Sequence, residues 1–155
     1  MNLLCQYVFL TTISISNFLL LMKKIEHIGI AVKNIESSNK LFAKIFGKEN
    51  FKSEVVESEG VLTSFFQIGE NKIELVAATN SASPIQKYLE TNREGIHHLA
   101  LDVEDICLEM ERLKKEGIRI LNEVPKKGAD NKLICFLHPK DTNGVLIELC
   151  QEIKK

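Results

Sequence analysis

The sequence predicts an α+β domain made of two βαβββ modules packed as one unit. Three observations carry this expectation. His27-Ile28-Gly29-Ile30-Ala31-Val32 nearly repeats 71 residues later as His98-Leu99-Ala100-Leu101-Asp102-Val103. Ile73-Glu74-Leu75 recurs at almost the same interval as Ile147-Glu148-Leu149. Each half also runs through the same order of apolar periods: one alternating stretch, one helical stretch, then three more alternating stretches.

In residues 25–32, His27, Gly29 and Ala31 share one side and Ile28, Ile30 and Val32 the other, as in a strand with one strongly apolar face. Asn34 can cap a helix whose apolar stripe is Ile35, Leu41, Phe42, Ile45 and Phe46, closed by Gly47. Strands are expected at about 51–57, 61–68 and 72–77, with Gly69-Glu70-Asn71 turning between the last two. Ser83-Pro84 opens a linking helix that ends near Asn92. The second half then gives a strand over 96–103 and a helix over 105–116, with Ile106, Met110 and Leu113 on one face and Gly117 at its end. Strands follow at about 118–124, 132–138 and 145–151, the last after an Asp141-Thr142-Asn143-Gly144 turn. Module 1 thus covers about 22–80, the linking helix about 83–92 and module 2 about 94–152, within a domain of residues 22–155.

The totals exclude several function classes. A chain of 155 residues holds one ordinary domain with a real core. Its net charge of −1 leaves no basic surface for nucleic acid, and the absence of Trp removes one common base-stacking platform. Cys5, Cys107, Cys135 and Cys150 form no CxxC pair. Three of them sit in periodic apolar segments, which reads as reduced core thiols in a cytoplasmic protein. Met1 to Met22 carries no charged side chain. It lacks the basic start of a signal peptide, and its polar residues weaken a membrane anchor. The favoured expectation is a natural start at Met22, with residues 1–21 outside the fold and no membrane partner; an anchor is the second reading.

The faces of the repeats single out four side chains. His27 and His98 each stand beside small residues, Gly29 with Ala31 and Ala100, so space is left over the imidazoles. Glu74 and Glu148 each lie between Ile and Leu, which points the carboxylates away from the core-facing pair. A carboxylate mid-strand between apolar neighbours is costly to bury without a partner. Taken singly, each of the four has an ordinary structural explanation; the matched register points to one shared site. Imidazole and carboxylate without thiolate suit a divalent ion such as Co, Mn, Ni or Zn. His97 is expected on the core side as a structural residue. His138, before Pro139, is open between lining the pocket and ending a strand.

The duplicated module with His27, Glu74, His98 and Glu148 resembles the vicinal oxygen chelate superfamily, whose fold is a curved mixed sheet around a metal site. More narrowly, the chain is similar to the methylmalonyl-CoA epimerase family. The segments that carry this are Lys72 to Leu75, Ser83-Pro84-Ile85, Glu94 to Ala100, and Phe136-Leu137-His138-Pro139-Lys140-Asp141 with Gly144 to Leu149. The resemblance spans Met22 to Gln151. It implies metal ligands His27, Glu74, His98 and Glu148, an acyl-CoA substrate (methylmalonyl-CoA), epimerisation at carbon 2 and a homodimer. Glu148 is the candidate catalytic acid or base. Some relatives place a second acid/base Glu where this chain has Thr63, so the second proton carrier is unassigned; Glu57 and Glu59 are its neighbours in sequence. Lys126, Lys127 and Lys140 are candidates for the CoA phosphates. The same pattern also suits a lactoylglutathione lyase-type isomerase. A metal-free small-molecule binding protein of this fold is the alternative from another class, and the complete ligand set weighs against it.

Overall fold

The computed structural model describes residues 22–154, so the expectations for residues 1–21 and for Cys5 lie outside the described residues. One eight-stranded mixed sheet curls into a half-barrel. Its strands are β1 (Met22–Ala31), β2 (Lys52–Val56), β3 (Val61–Ile68), β4 (Asn71–Ala78), β5 (Gly95–Val103), β6 (Lys126–Lys127), β7 (Lys132–Phe136) and β8 (Ile147–Glu152). The order β2-β3-β4-β1-β5-β8-β7-β6 makes the two modules mirror each other about a central antiparallel β1/β5 pair. β1 runs parallel to β4, and β5 parallel to β8.

Three helices cover the sheet, and their ends are set by the residues the sequence singles out. In α1 (Ile35–Phe46), the Asn34 side chain accepts from the Ser37 N–H at 2.8 Å, and Gly47 takes the left-handed conformation (φ 68°) that ends the helix. In α2 (Pro84–Thr91), Ser83 Oγ accepts from the Ile85 N–H at 3.2 Å. In α3 (Ile106–Lys115), Asp105 accepts from the Leu108 N–H at 3.0 Å. Its far end closes with a paired motif, Ile118 N–H to Leu113 and Gly117 N–H to Lys114.

The alternation along the strands sorts side chains into two layers. On the convex side, Val32, Ile35, Phe66, Leu75 and Ala77 form a core with Phe42 and Phe46 of α1. Val103, Ile106, Met110, Leu113, Cys135, Leu137 and Leu149 form its counterpart under α3. The inner face carries smaller clusters, Ala31, Val56, Val61, Val76 and Ile85 in one half, and Ala100, Ile134 and Cys150 in the other. Bulky residues therefore hold α1 and α3 to the outside, while α2 packs Ile85 onto the inner face and the centre of the concave side is left for polar groups.

Three local expectations need correction, and one left open is settled. Leu41 and Ile45 stand exposed on α1, because the buried sector narrows to the line of Ile35, Phe42, Ala43 and Phe46. The strand expected at 118–124 is absent: Ile120 makes one isolated bridge to Leu137, and pairing resumes at Lys126. The Asn122 side chain there takes the Phe136 N–H at 3.1 Å in place of a backbone carbonyl, and Pro125 has no N–H to give. Cys107 is exposed on α3, although Cys135 and Cys150 are buried as expected. His138 stands two residues past the end of β7 and caps the turn that follows, its Nδ1 accepting from the Lys140 N–H at 3.2 Å. No helix among the described residues is long and apolar enough to cross a membrane.

Burial pushes the Cys135 thiol up to about 12, and the Cys150 thiol higher still. At pH 8 in the native state, iodoacetamide should therefore modify Cys107 while sparing Cys135 and Cys150, which should react only after denaturation. Peptide-resolved mass spectrometry reads the order; modification of Cys135 as fast as Cys107 would contradict the packing described.

Candidate metal centre

The four residues named from the repeats occupy the inner face of the four central strands, and all four are buried. β1 presents His27, β4 Glu74, β5 His98 and β8 Glu148. The register explains the convergence. Gly29 stands opposite His98 across the antiparallel pair and beside Glu74 across the parallel one. In module 2, Ala100 holds the matching place, opposite His27 and beside Glu148. A Cβ on Gly29 would lie 2.0 Å from Cε1 of the His98 ring, so the missing side chain is the space that the imidazole occupies.

His27 Nε2 and His98 Nε2 face each other at 3.0 Å, and Glu74 Oε2 lies 3.3 Å from each. Glu148 Oε2 lies 3.6 Å from His98 Nε2. Donor atoms bound at about 2.1 Å and at right angles on one ion sit about 3 Å apart. The two imidazoles and Glu74 match that spacing, and their ligand atoms all lie within 4.8 Å of one another. Phe65 and Phe136, the cross-strand partners of Glu74 and Glu148, flank the histidines edge-on at 6.5 and 6.0 Å between ring centres.

Electrostatics also favour a cation. Burial alone would strip the charge from His27, but the Glu74 charge and the hydrogen bond to Glu26 outweigh it and raise the imidazole to about 10. Burial likewise works against the Glu74 charge, yet His27 and His98 hold its carboxyl well below the usual range. Glu148 goes the other way: burial outweighs the neighbouring histidines and raises it. The cluster therefore demands positive charge, from a proton or from a metal, and its nitrogen and oxygen donors fit a borderline divalent ion.

The cluster lies in the wall of a cavity of about 290 Å³. The other walls are largely apolar, with Val61, Phe65, Val76, Ile85, Ile134, Phe136 and Leu146. Of the lysines named for the CoA phosphates, Lys126 lines the cavity, paired with Glu59 Oε1 at 2.5 Å; Lys127 and Lys140 do not line it. Glu59 lines this cavity and Glu57 does not. Thr63 is buried in the wall and its hydroxyl donates to the Glu54 carbonyl at 3.2 Å.

Two cavity residues escape a period-2 reading. His97 lines the cavity, its Nδ1 3.0 Å from His98 Nδ1, so its expected place on the core side is wrong. Glu26, which the repeats alone did not single out, is buried with Oε2 2.5 Å from His27 Nδ1. Both sit at register shifts: Ile25 pairs with Leu101 and His27 with Ala100, passing over Glu26, while Gly29 pairs with His98 and Ile30 with Ile96, passing over His97. Such a bulge turns an extra residue toward the neighbouring face. The readable signal was a polar residue directly before each repeated histidine.

Comparison with known proteins agrees with this architecture. The Glyoxalase/Bleomycin resistance protein/Dioxygenase superfamily profile matches residues 26–136. An ethylmalonyl-CoA/methylmalonyl-CoA epimerase of Cereibacter sphaeroides is 39% identical over 130 residues, covering 83% of this chain and 97% of its own. The crystal structure of methylmalonyl-CoA epimerase from Mycobacterium tuberculosis superposes with a TM-score of 0.83 at 30% identity, covering 86% of this chain and 91% of that one. A Streptomyces coelicolor methylmalonyl-CoA epimerase variant in complex with 2-nitronate-propionyl-CoA gives 0.82 at 32% identity, with coverage of 86% and 99%. With the profile matching most of its length and near-complete overlap with these relatives, the chain belongs to the Glyoxalase/Bleomycin resistance protein/Dioxygenase superfamily.

Proposed function

We propose that the protein is a metal-dependent epimerase that interconverts the (2R) and (2S) forms of methylmalonyl-CoA. The observation that carries the reading is the convergence of His27, His98 and Glu74 at ligand spacing in the wall of a largely apolar cavity. The epimerase names of the relatives, over nearly the whole domain, support the substrate class.

In this reading His27, Glu74, His98 and Glu148 hold one divalent ion. Such an ion supplies Lewis-acid stabilisation of negative charge on a substrate oxygen. The carbon 2 hydrogen of methylmalonyl-CoA lies between a thioester and a carboxylate, so its removal leaves charge that spreads onto the thioester oxygen. Glu148 takes this proton: its carboxylate is buried in the cavity wall beside the two histidines, where the acyl group of a bound substrate would meet it. Phe65, Phe136, Val76 and Ile134 keep bulk water from the acyl group and strengthen the electrostatic interactions within the cavity. Thr63 is no base, with its hydroxyl committed to the Glu54 carbonyl. Lys126, one of the two lysines that line the cavity, meets the charged substrate, and two copies of the chain form the working dimer.

Metal-loaded protein incubated with methylmalonyl-CoA in heavy water should place deuterium at carbon 2. Glu148→Gln should slow this by about 10²–10⁴-fold. Mass spectrometry of the thioester reads both; no exchange in the wild type with its metal site full would overturn the function, and full exchange in the variant would overturn the role of Glu148.

Gly29→Ala tests the spacing. The added methyl must displace the His98 ring, so Co(II) affinity measured by calorimetry should fall by more than about tenfold while circular dichroism shows the fold retained. Unchanged affinity would show that His98 is not held where the ligand set needs it.

A further inference from the structure

We infer that Glu26 and His97 are matched positioning residues, each placed by a β-bulge to fix the tautomer of the ligand histidine that follows it. The inference rests on the metal-site reading above and extends it to the atoms behind the ligands.

Each histidine has one nitrogen facing the cluster and one facing its bulge residue. The Nε2 atoms of His27 and His98 meet at 3.0 Å. Their Nδ1 atoms point outward, to Glu26 Oε2 at 2.5 Å and to His97 Nδ1 at 3.0 Å. An imidazole that offers Nε2 as a lone pair must carry its proton on Nδ1, and that N–H needs an acceptor when buried. Glu26 accepts from His27. His97 can accept from His98 only through the lone pair of its own Nδ1, which places the His97 proton on Nε2. The Tyr88 ring packs edge-on against His97 at 4.8 Å between centres and holds it in place.

The repetition supports a purpose beyond packing. Both shifts fall one residue before the ligand, at corresponding places in the two modules. A plain strand would turn Glu26 and His97 to the convex side, away from the Nδ1 atoms. The two acceptors differ in charge, and the surroundings match. Glu26 Oε1 accepts from Lys72, which also donates to Asp130 Oδ2 at 2.6 Å, while Lys52 reaches Asp130 Oδ1 at 3.1 Å. That chain of donors holds the Glu26 side chain in place behind His27. His98 has a neutral acceptor and no such chain.

The test reads metal affinity and tautomers, not turnover. Calorimetric titration with Co(II) should show a loss of about 10–100-fold for Glu26→Gln and for His97→Leu. His97→Asn, whose side-chain oxygen can stand near the place of Nδ1, should recover most of that loss. In the zinc-loaded wild type, long-range proton–nitrogen NMR should find protons on Nδ1 of His27 and His98 and on Nε2 of His97. Unchanged Co(II) affinity in both Glu26→Gln and His97→Leu, or a proton on Nδ1 of His97, would overturn the inference. A wild type that takes up no Co(II) would overturn it together with the metal site. A wild type that binds Co(II) but exchanges no deuterium at carbon 2 would reject the epimerase alone, and the affinity differences would still decide the roles of Glu26 and His97.

Discussion

The 3.0 Å approach of two imidazole nitrogens across the central β1/β5 pair is the constraint on which the rest of this molecule depends. Two rings can meet there only if the antiparallel register sets Gly29 opposite His98 and Ala100 opposite His27. They can stay there only if the parallel neighbours bring Glu74 and Glu148 to the same level. The helices, caps and convex cores then serve one end. They hold a curled sheet whose inner face is free of bulk at its centre and lined by Phe65 and Phe136 at its sides.

Burying so many ionisable groups is expensive unless each has a partner. Glu26, Glu74 and Glu148 are all nearly inaccessible, and so are His27 and His98. No buried side-chain nitrogen or oxygen among the described residues lacks a hydrogen-bond partner. Burial works against the Glu26 charge, but the hydrogen bond and charge of His27, with Lys72 behind, hold its carboxyl at about 2. The remaining carboxylates face the histidines. A site built this way answers to cations, which is the property its proposed chemistry requires.

Much of this was legible in the residues. The doubled His and Glu segments reveal the two modules, and period-2 alternation assigns the inner face for all four ligand candidates. Asn34, Ser83 and Asp105 mark helix starts because a short polar side chain reaches the free N–H groups of the first turn. What escaped has physical causes. Alternation assumes an unbroken ladder, so it turns His97 to the wrong face when a bulge adds a residue. A side-chain amide at Asn122 replaced a backbone partner, and the strand expected there dissolved. The exposure of Leu41 and Ile45 depends on how α1 is rotated over β3 and β4, which its own period does not set. The ion-pair chain through Lys72 and Asp130 joins residues 58 apart, and nothing local announces it.

In the proposed site both modules contribute an imidazole to one metal ion. X-ray absorption at the cobalt edge of the Co(II)-loaded protein tests it most directly. One cobalt per chain is expected, with nitrogen and oxygen neighbours at about 2.0–2.2 Å and outer-shell scattering from two imidazole rings. Scattering from a single imidazole, or from none, would contradict it.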